Sequence, residues 1–263
     1  MHKDVIIVGA GISGIAAGYN LKKSCPNKSF SILEGRENIG GTWDLFKYPG
    51  IRSDSDMHTL GFRFKPWIHD KSIADGPSIM EYLHETINEY KLNDNILLNH
   101  KVDSANWNSK KSQWELKINV NNDLKDMTCN FFFLCGGYYS YTKPHMPYFK
   151  NQENFKGQIV HPQFWDESLD YKNKKIAVIG SGATAITIVP AIAEQAEHVV
   201  MIQRSPTYVV SGPSEDVINK FLRKILPIRI TYFLIRWKNI LYQSFTFFMQ
   251  ENILKELKVE FWI

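Results

Sequence analysis

Two segments of the chain share one pattern, a continuous apolar run followed by closely spaced glycines. Residues 5–14 read VIIVGAGISG, and residues 176–185 read IAVIGSGATA. Uninterrupted apolar runs of this length are typical of strands buried on both faces of a parallel sheet. Small and aliphatic residues follow each run and predict a helix. The repeated strand–turn–helix pattern therefore predicts an α/β protein with two Rossmann-like dinucleotide-binding domains.

The remaining pattern of apolar and polar positions predicts the elements around these two motifs. Further strands are expected at 29–33, 96–104, 113–120, 127–134 and 198–203, and a helix at 78–91. The polar tract 119–126 is typical of a hairpin loop. From Ser214 onward the sequence predicts helices with a break at Pro227, and Pro190 predicts a kink in the second motif's helix, because proline interrupts helical hydrogen bonding.

Composition narrows the class of protein. With 44% hydrophobic and 22% charged residues, the chain can form a packed core and is not expected to be disordered. The three cysteines lack the spacing of a disulfide framework or a zinc site, so we expect no metal and a reducing, cytoplasmic location. The net charge of +4 comes from dispersed basic residues, which argues against a nucleic-acid partner. No apolar run is long enough to predict a membrane-spanning helix.

The first glycine motif consists of Gly9, Gly11 and Gly14, directly after a predicted strand. Glycines at these positions allow a tight turn and the close approach of the backbone to a pyrophosphate. Glu34 ends the next predicted strand, where an acid accepts a hydrogen bond from a ribose hydroxyl. This order of elements predicts a site for the ADP part of a dinucleotide. The alternative is an ordinary turn with a surface glutamate.

The second glycine motif carries a different residue at the end of its second strand. The motif consists of Gly180, Gly182 and Ala185. At the position that matches Glu34, the chain has a basic residue and then two hydroxyls: Arg204, Ser205 and Thr207. An arginine with hydroxyls binds a 2′-phosphate, which an acid would repel, so this site predicts NADPH. The alternative is a solvated arginine at a strand end. One acid-type and one arginine-type site together suggest FAD plus NADPH, with hydride passing from nicotinamide to flavin.

The segment between the two motifs carries a family resemblance. Residues 155–166 read FKGQIVHPQFWD and resemble the fingerprint FxGxxxHxxxW, followed by Pro or Asp, of the Baeyer–Villiger monooxygenases, which are class B flavin-dependent monooxygenases. Every defined position matches, and ordinary flavin-containing monooxygenases usually differ where Trp165 stands. The chain is also similar to this family at 40–43 (GGTW), 48–54 (YPGIRSD) and 203–207 (QRSPT). The resemblance covers essentially the whole chain.

The resemblance implies further site residues. Beside the motif glycines and Glu34, the FAD site would include Gly41, Thr42 and Trp43 along the flavin. Asp54 would lie close to the isoalloxazine. His161 and Trp165 would couple the two domains during the catalytic cycle without making bonds to the substrate. The candidate catalytic set is Arg52, Asp54, His161 and Trp165.

The resemblance also implies a domain organisation and a truncation. We expect an FAD-binding domain at 1–140, a linker with the fingerprint at 141–173, an NADPH-binding domain at 174–213 and a helical segment at 214–263. Family members are usually about twice as long and return to both nucleotide domains after a helical insertion. The chain is therefore expected to be an amino-terminal half that ends inside this insertion. The family's catalytic arginine, which follows the insertion, is missing.

The activity that the resemblance implies is insertion of one oxygen atom of O2 next to a ketone carbonyl through a peroxyflavin. Oxygenation of sulfides or amines is the alternative within enzymes. A non-catalytic nucleotide-binding fragment, or one half of a two-chain enzyme with a separate C-terminal half as partner, is the alternative outside them. The aromatic and basic segment 221–249 suggests an interfacial membrane helix, but packing against the missing half is favoured.

Overall fold

The computed structural model describes residues 1–205, 207, 209 and 213–256. The chain divides into two compact units. The first unit comprises Met1–Ile51 and Asp75–Thr207, and the second comprises Arg52–Ala74 and Tyr208–Ile263. The mixed α/β class expected from the sequence is confirmed. The domain boundaries at 140, 173 and 213 stay predictions.

The main sheet of the first unit has six strands. They are β1 His2–Val8, β2 Phe30–Leu33, β3 Ile96–Leu97, β4 His100–Asn108, β5 Gln113–Val120 and β6 Asp123–Leu134. Their order is β3-β2-β1-β6-β5-β4. β1 pairs in parallel with β2 and β6, whereas β4, β5 and β6 pair antiparallel. The apolar run of β1 therefore lies at the centre, where Ile6 and Ile7 are fully buried, as its unbroken pattern predicts.

Two predictions about this sheet were wrong in detail. The single strand expected at 96–104 is split, because Asn99 takes a left-handed conformation (φ 57°) and the chain changes partner from β2 to β5. The hairpin loop expected at 119–126 shrinks to Asn121 and Asn122, whose φ angles are 52° and 72°. Asparagine tolerates this conformation, and two such residues make the tight turn that suits a β-hairpin. Pairing therefore continues to the two residues that flank the turn.

Seven α-helices accompany the strands in the described residues. They are α1 Ile12–Ser24, α2 Thr42–Leu45, α3 Met57–Leu60, α4 Gly76–Glu89, α5 Ala183–Ala193, α6 Val217–Ile225 and α7 Ile228–Glu256. Short 3-10 helices lie at Asn93–Asn95, Gln152–Asn154 and Pro162–Phe164. The helix predicted at 78–91 is α4, which begins two residues earlier because the Asp75 side chain caps it by accepting from the Ser78 N–H.

A second, two-stranded parallel sheet lies in the first unit. Its strands are β7 Lys175–Ile179 and β8 His198–Ile202, connected by α5. One face of this sheet packs on α5, while the apolar residues of the other face are exposed, namely Ile179, Val200 and Ile202. This arrangement confirms the strand–turn–helix–strand reading of the second motif. Pro190 lies inside α5 as expected, and a kink there stays a prediction.

The second unit is built from α3, α6 and α7. The predicted break at Pro227 is confirmed, because α6 ends at Ile225 and α7 begins at Ile228. The predicted helix start at Ser214 was wrong, since Asp216 caps α6 by accepting from the Asn219 N–H. No helix in the described part of the chain is both long enough and apolar enough to cross a membrane.

Candidate dinucleotide-binding sites

Two of the three glycines in the first dinucleotide turn, residues 9–14, are required by close packing. Gly9 has φ 100°, and a Cβ built there would lie 2.5 Å from the Cys135 carbonyl oxygen. A Cβ on Gly14 would lie 1.8 Å from the Gly9 carbonyl oxygen. Gly11 is different, because its nearest neighbour would be the Gly41 Cα at 3.8 Å. The first and third glycines thus allow the turn and the helix–strand packing, while the second leaves room for a ligand.

Glu34 is held at this turn by two backbone groups. Its side chain is 4% exposed. One carboxylate oxygen accepts from the Ala10 N–H at 2.8 Å, and the other accepts from the Arg36 N–H at 3.1 Å. A carboxylate has about four lone-pair sites, so acceptor capacity remains for a ribose hydroxyl. The buried acid therefore fits the role in the dinucleotide site that the sequence predicts.

A second pair of glycines lies against the first turn. Gly40 has φ 106° and donates its N–H to the Ala10 carbonyl at 2.9 Å. Gly41 has φ 57° and packs on Gly11. Thr42 and Trp43, the first residues of α2, are half-buried beside this contact. The structure therefore brings the GGTW segment and the first glycine motif together, and the contact of Thr42 and Trp43 with a flavin stays a prediction.

The same region contains three polar residues that no motif predicted, namely Arg36, Asp44 and Tyr141. Arg36 donates to the Gly41 carbonyl at 3.3 Å and pairs with the Asp44 carboxylate at 2.5 Å. Its guanidinium carbon lies 5.3 Å from the centre of the Tyr141 ring. Burial raises the pKa of Tyr141, and the negative charges of Glu34 and Asp44 act in the same direction. The only signal in the sequence is a basic residue two positions after the acid that is predicted to bind the ribose.

The second dinucleotide turn, residues 180–185, repeats the geometry in a more open form. Gly180 has φ 135°, and its N–H donates to the Ile202 carbonyl at 2.8 Å. A Cβ on Gly182 would meet nothing within 4 Å. The third position is the buried Ala185, which packs as a helix residue. In this turn the third residue, Ala185, is therefore buried, and there is open space at the second residue, Gly182.

The predicted 2′-phosphate residues follow β8 and are exposed. They are Arg204, Ser205 and Thr207. The Ser181 hydroxyl donates to the Ser205 carbonyl at 2.9 Å, which ties this loop to the second turn. The loop and the glycines are therefore brought together. The contact of the Arg204 guanidinium with a phosphate stays a prediction.

The fingerprint segment packs between the two dinucleotide motifs of the first unit. Trp165 lies in one apolar cluster with Phe46 and Tyr48, from the segment after GGTW, and with Ile188 and Ile192 of α5. This cluster connects residues that follow the first turn with the helix of the second. The coupling role that the resemblance implied for Trp165 stays a prediction.

His161 and Gln163 hold the fingerprint segment in place. The His161 Nδ1 accepts the Gln163 backbone N–H at 3.1 Å, so in the neutral ring the proton is on Nε2. The Gln163 side chain is buried and donates to the Ser140 carbonyl at 2.5 Å. At the start of the segment, the Phe155 ring lies over Gly157, where a Cβ would come within 2.5 Å of it. The fingerprint segment is thus held in a defined conformation by its own hydrogen bonds and packing.

Arg52 and Asp54 lie in the second unit and are both exposed. The residue between them, Ser53, is buried and exchanges hydrogen bonds with Ala74, its N–H donating at 2.8 Å and its hydroxyl accepting at 3.1 Å. This pairing fixes the backbone that carries the two charged side chains. Their placement near the flavin stays a prediction.

An acid-type and an arginine-type Rossmann turn, joined by a structured fingerprint segment, are typical of flavin-dependent oxidoreductases that use two dinucleotides. Comparison with known proteins agrees. The chain belongs to the flavin-binding monooxygenase-like family, whose model matches residues 66–260. A model of the NAD(P)-binding Rossmann-like domain matches residues 7–70. The resemblance to class B flavin-dependent monooxygenases is confirmed, and so is the expectation of an enzyme family that uses a flavin and a nicotinamide cofactor.

Individual relatives support the same family. The chain is 53% identical over 244 residues to the FAD-containing monooxygenase EthA of Mycobacterium tuberculosis (strain ATCC 25618 / H37Rv), covering 92% of this chain and 50% of EthA. It is 52% identical over 239 residues to the probable FAD-binding monooxygenase AlmA of Acinetobacter sp, covering 90% of this chain and 48% of AlmA. The solved structure of an oxidized steroid monooxygenase bound to NADP superposes with a TM-score of 0.74 at 26% identity, covering 88% of this chain and 43% of that one.

The chain spans about half the length of the curated relatives it matches. This agrees with the expectation that a complete family member needs further sequence.

Proposed function

We propose that this chain is the amino-terminal half of an FAD- and NADPH-dependent monooxygenase of the Baeyer–Villiger type, which inserts one oxygen atom of O2 next to a ketone carbonyl. The observation that carries the proposal is the fingerprint segment 155–166. All its defined positions match, and Trp165 packs in the cluster that joins the two dinucleotide motifs. Bound together, the two cofactors supply the redox chemistry, with nicotinamide delivering hydride and flavin activating O2.

In this proposal the first turn holds FAD. Gly11 leaves the backbone open to the pyrophosphate, and Gly9 and Gly14 make the turn that allows this approach. Glu34 accepts a hydrogen bond from the ribose with its remaining lone pairs. Gly41, Thr42 and Trp43 continue the site towards the flavin ring, as the family resemblance implies. This assignment is supported by the contact between Gly11 and Gly41 and by the hydrogen bond from the Gly40 N–H to the Ala10 carbonyl.

The second turn holds NADPH in this proposal. Gly182 has open space where a pyrophosphate must approach, and the third residue of the turn, Ala185, is buried. Arg204 binds the 2′-phosphate together with Ser205 and Thr207, since a guanidinium and hydroxyls match phosphate oxygens. The bond from Ser181 to Ser205 supports this role, because it holds the loop at the turn.

We further propose that turnover needs a complementary C-terminal half. The relatives are about twice as long, and two apolar surfaces of the first unit lack a cover among the described residues. One is the face of β7 and β8 with Ile179 and Ile202, and the other is the run of β6 with Phe131 and Phe133. Exposed apolar sheet faces of this kind are typical of surfaces that another polypeptide covers.

Co-expression tests both proposals. The chain is produced alone and together with the C-terminal half of EthA, and NADPH oxidation and products are measured with a panel of ketones and sulfides. The proposal predicts little turnover alone and ester or lactone formation from ketones with the added half. Robust lactone formation by the chain alone would refute the need for a second half. Sulfoxide formation without any ester would favour heteroatom oxygenation instead.

A further inference from the structure

Tyr141 borders the first dinucleotide turn although no motif gives it a role. A Cβ built on Gly41 would lie 3.5 Å from the Tyr141 hydroxyl and 3.4 Å from the Gly11 Cα. The hydroxyl and the two glycines therefore surround one small space. That space lies beside the second glycine of the turn, where a dinucleotide pyrophosphate approaches the backbone.

The Tyr141 ring is held in this position by Arg36. The guanidinium lies over the ring at 5.3 Å from its centre, within the range of a cation–π contact. Arg36 is itself fixed by its hydrogen bond to the Gly41 carbonyl and its ion pair with Asp44. The Tyr141 ring therefore packs on the Arg36 side chain, which is bonded to Gly41 and Asp44.

The backbone beside Tyr141 is held by the fingerprint segment. The buried Gln163 side chain donates to the carbonyl of Ser140, the preceding residue. The Gln163 N–H in turn donates to His161 Nδ1. The fingerprint segment thus fixes the backbone next to Tyr141, whose hydroxyl lies beside the glycine turn.

The Tyr141 hydroxyl is available as a donor. Within the described residues it makes no hydrogen bond, although the side chain is half-buried. Burial raises its pKa, so the phenol stays protonated at neutral pH. A half-buried hydroxyl without a partner, beside a glycine turn built for phosphate, gains a strong acceptor when a phosphate oxygen arrives.

We propose that Tyr141 is a positioning residue for FAD, and that its hydroxyl donates a hydrogen bond to the pyrophosphate at the space between Gly11 and Gly41. Arg36 orients the ring, and Gln163 orients the backbone. The inference rests on the proposed FAD site in the first turn. It adds to that site a residue from the connecting segment, after β6, which links pyrophosphate binding to the fingerprint.

The test compares Tyr141→Phe with Tyr148→Phe in the full chain. Both substitutions remove one phenol hydroxyl from the same connecting segment, but Tyr148 is 73% exposed. Binding of FAD is titrated by fluorescence, with ADP and adenosine as competitors, and the ³¹P spectrum of bound FAD is recorded. Tyr141→Phe is expected to weaken FAD and ADP roughly tenfold, as for one hydrogen bond to a charged group. Adenosine binding and the Tyr148→Phe variant should be unchanged, and the ³¹P resonances should shift in Tyr141→Phe alone.

Three results would overturn the proposal. Equal FAD affinity in Tyr141→Phe and the unsubstituted chain would show that the hydroxyl does not contact the cofactor. Equal weakening of ADP and adenosine would show a structural effect rather than a pyrophosphate contact. If the unsubstituted chain binds no FAD, the FAD site itself fails, and this inference fails with it. The first two results leave the proposed function intact, so failure of the Tyr141 inference can be distinguished from failure of the FAD site.

Discussion

At the scale of single residues, the two dinucleotide sites differ by the group at the end of one strand. The first site buries Glu34 against two backbone N–H groups, whereas the second exposes Arg204 beside two hydroxyls. A buried acid fits an unphosphorylated ribose, and an exposed arginine fits a ribose 2′-phosphate. The choice of cofactor is therefore expected to depend on very few side chains.

Glu34→Gln is predicted to weaken both the fold and FAD binding. The amide offers one acceptor oxygen in place of two, so an NH₂ group must face either the Ala10 or the Arg36 N–H. The cost of an unsatisfied buried donor is about 1–3 kcal/mol. Thermal unfolding without cofactor and FAD titration measure the two effects. Glu37→Gln, at an exposed position on the same loop, is the matched control and should change neither.

Arg204→Gln is predicted to remove the preference for NADPH over NADH. The lost contact is a charge-assisted hydrogen bond to the 2′-phosphate, so the NADPH Kd should rise roughly tenfold or more. The NADH Kd should stay the same, because that cofactor lacks the phosphate. Cofactor titrations of the chain measure both constants. Lys172→Gln removes an exposed positive charge outside the loop and serves as the control. An equal rise in the Kd of NADPH and of NADH would contradict the assignment of Arg204 to the 2′-phosphate.

At the scale of elements, the first unit depends on the contact between the loop after α2 and helix α5. Gly50 has φ 78°, and a Cβ built there would lie 2.9 Å from both the Thr187 carbonyl oxygen and the Ala191 Cβ. Phe46 and Tyr48 pack on the same helix, together with Trp165. This contact connects the segment that follows the first dinucleotide turn with the helix of the second.

Gly50→Ala is predicted to destabilise the first unit. The substitution adds a methyl group where the backbone is left-handed and α5 is in contact, so we expect a loss of about 1–3 kcal/mol. Gly136→Ala is the control, since a Cβ there meets nothing within 4 Å. Chemical denaturation of both variants measures the difference. Equal stability of the two variants would mean that α5 does not pack on this loop.

The second unit contains a buried histidine on α3 that predicts a pH dependence. His58 is fully buried, and neither ring nitrogen has a hydrogen-bond partner in the described structure. Burial lowers its pKa, an effect partly opposed by the negative charges of Asp56 and Asp216, while Lys238 and Arg223 act in the same direction as burial.

Because the folded state disfavours the protonated ring, the unfolded state binds more protons once the pH falls below about 6.5. The second unit should therefore lose stability from that pH downward, until the folded pKa is passed. His58→Leu should reduce this dependence between pH 7.5 and 5.5, whereas His84→Leu, at an exposed position on α4, should not. Thermal unfolding at the two pH values is the measurement. An unchanged pH dependence in His58→Leu would rule out His58 as its source.

At the scale of the whole molecule, the strands, helices and turns that depend on local pattern could be predicted from the sequence. The central strands, α4, α5 and both glycine turns follow from apolar runs and glycine spacing, and the helix break follows from Pro227. The residues that surround the first turn, Arg36 and Tyr141, could not be predicted, because they meet only through the tertiary fold. The split of the strand at Asn99 depends on a change of partner strand, which no local pattern encodes.

Both the proposed function and the role of Tyr141 depend on an FAD site at the first turn of this chain. Titration of the purified chain with FAD, followed by absorbance and fluorescence, measures binding at this site, and circular dichroism shows whether the chain is folded. We predict one saturable site that ADP displaces and that Glu34→Gln weakens. A folded chain without saturable FAD binding, or with FAD binding that neither ADP nor Glu34→Gln changes, would exclude an FAD site at the first turn.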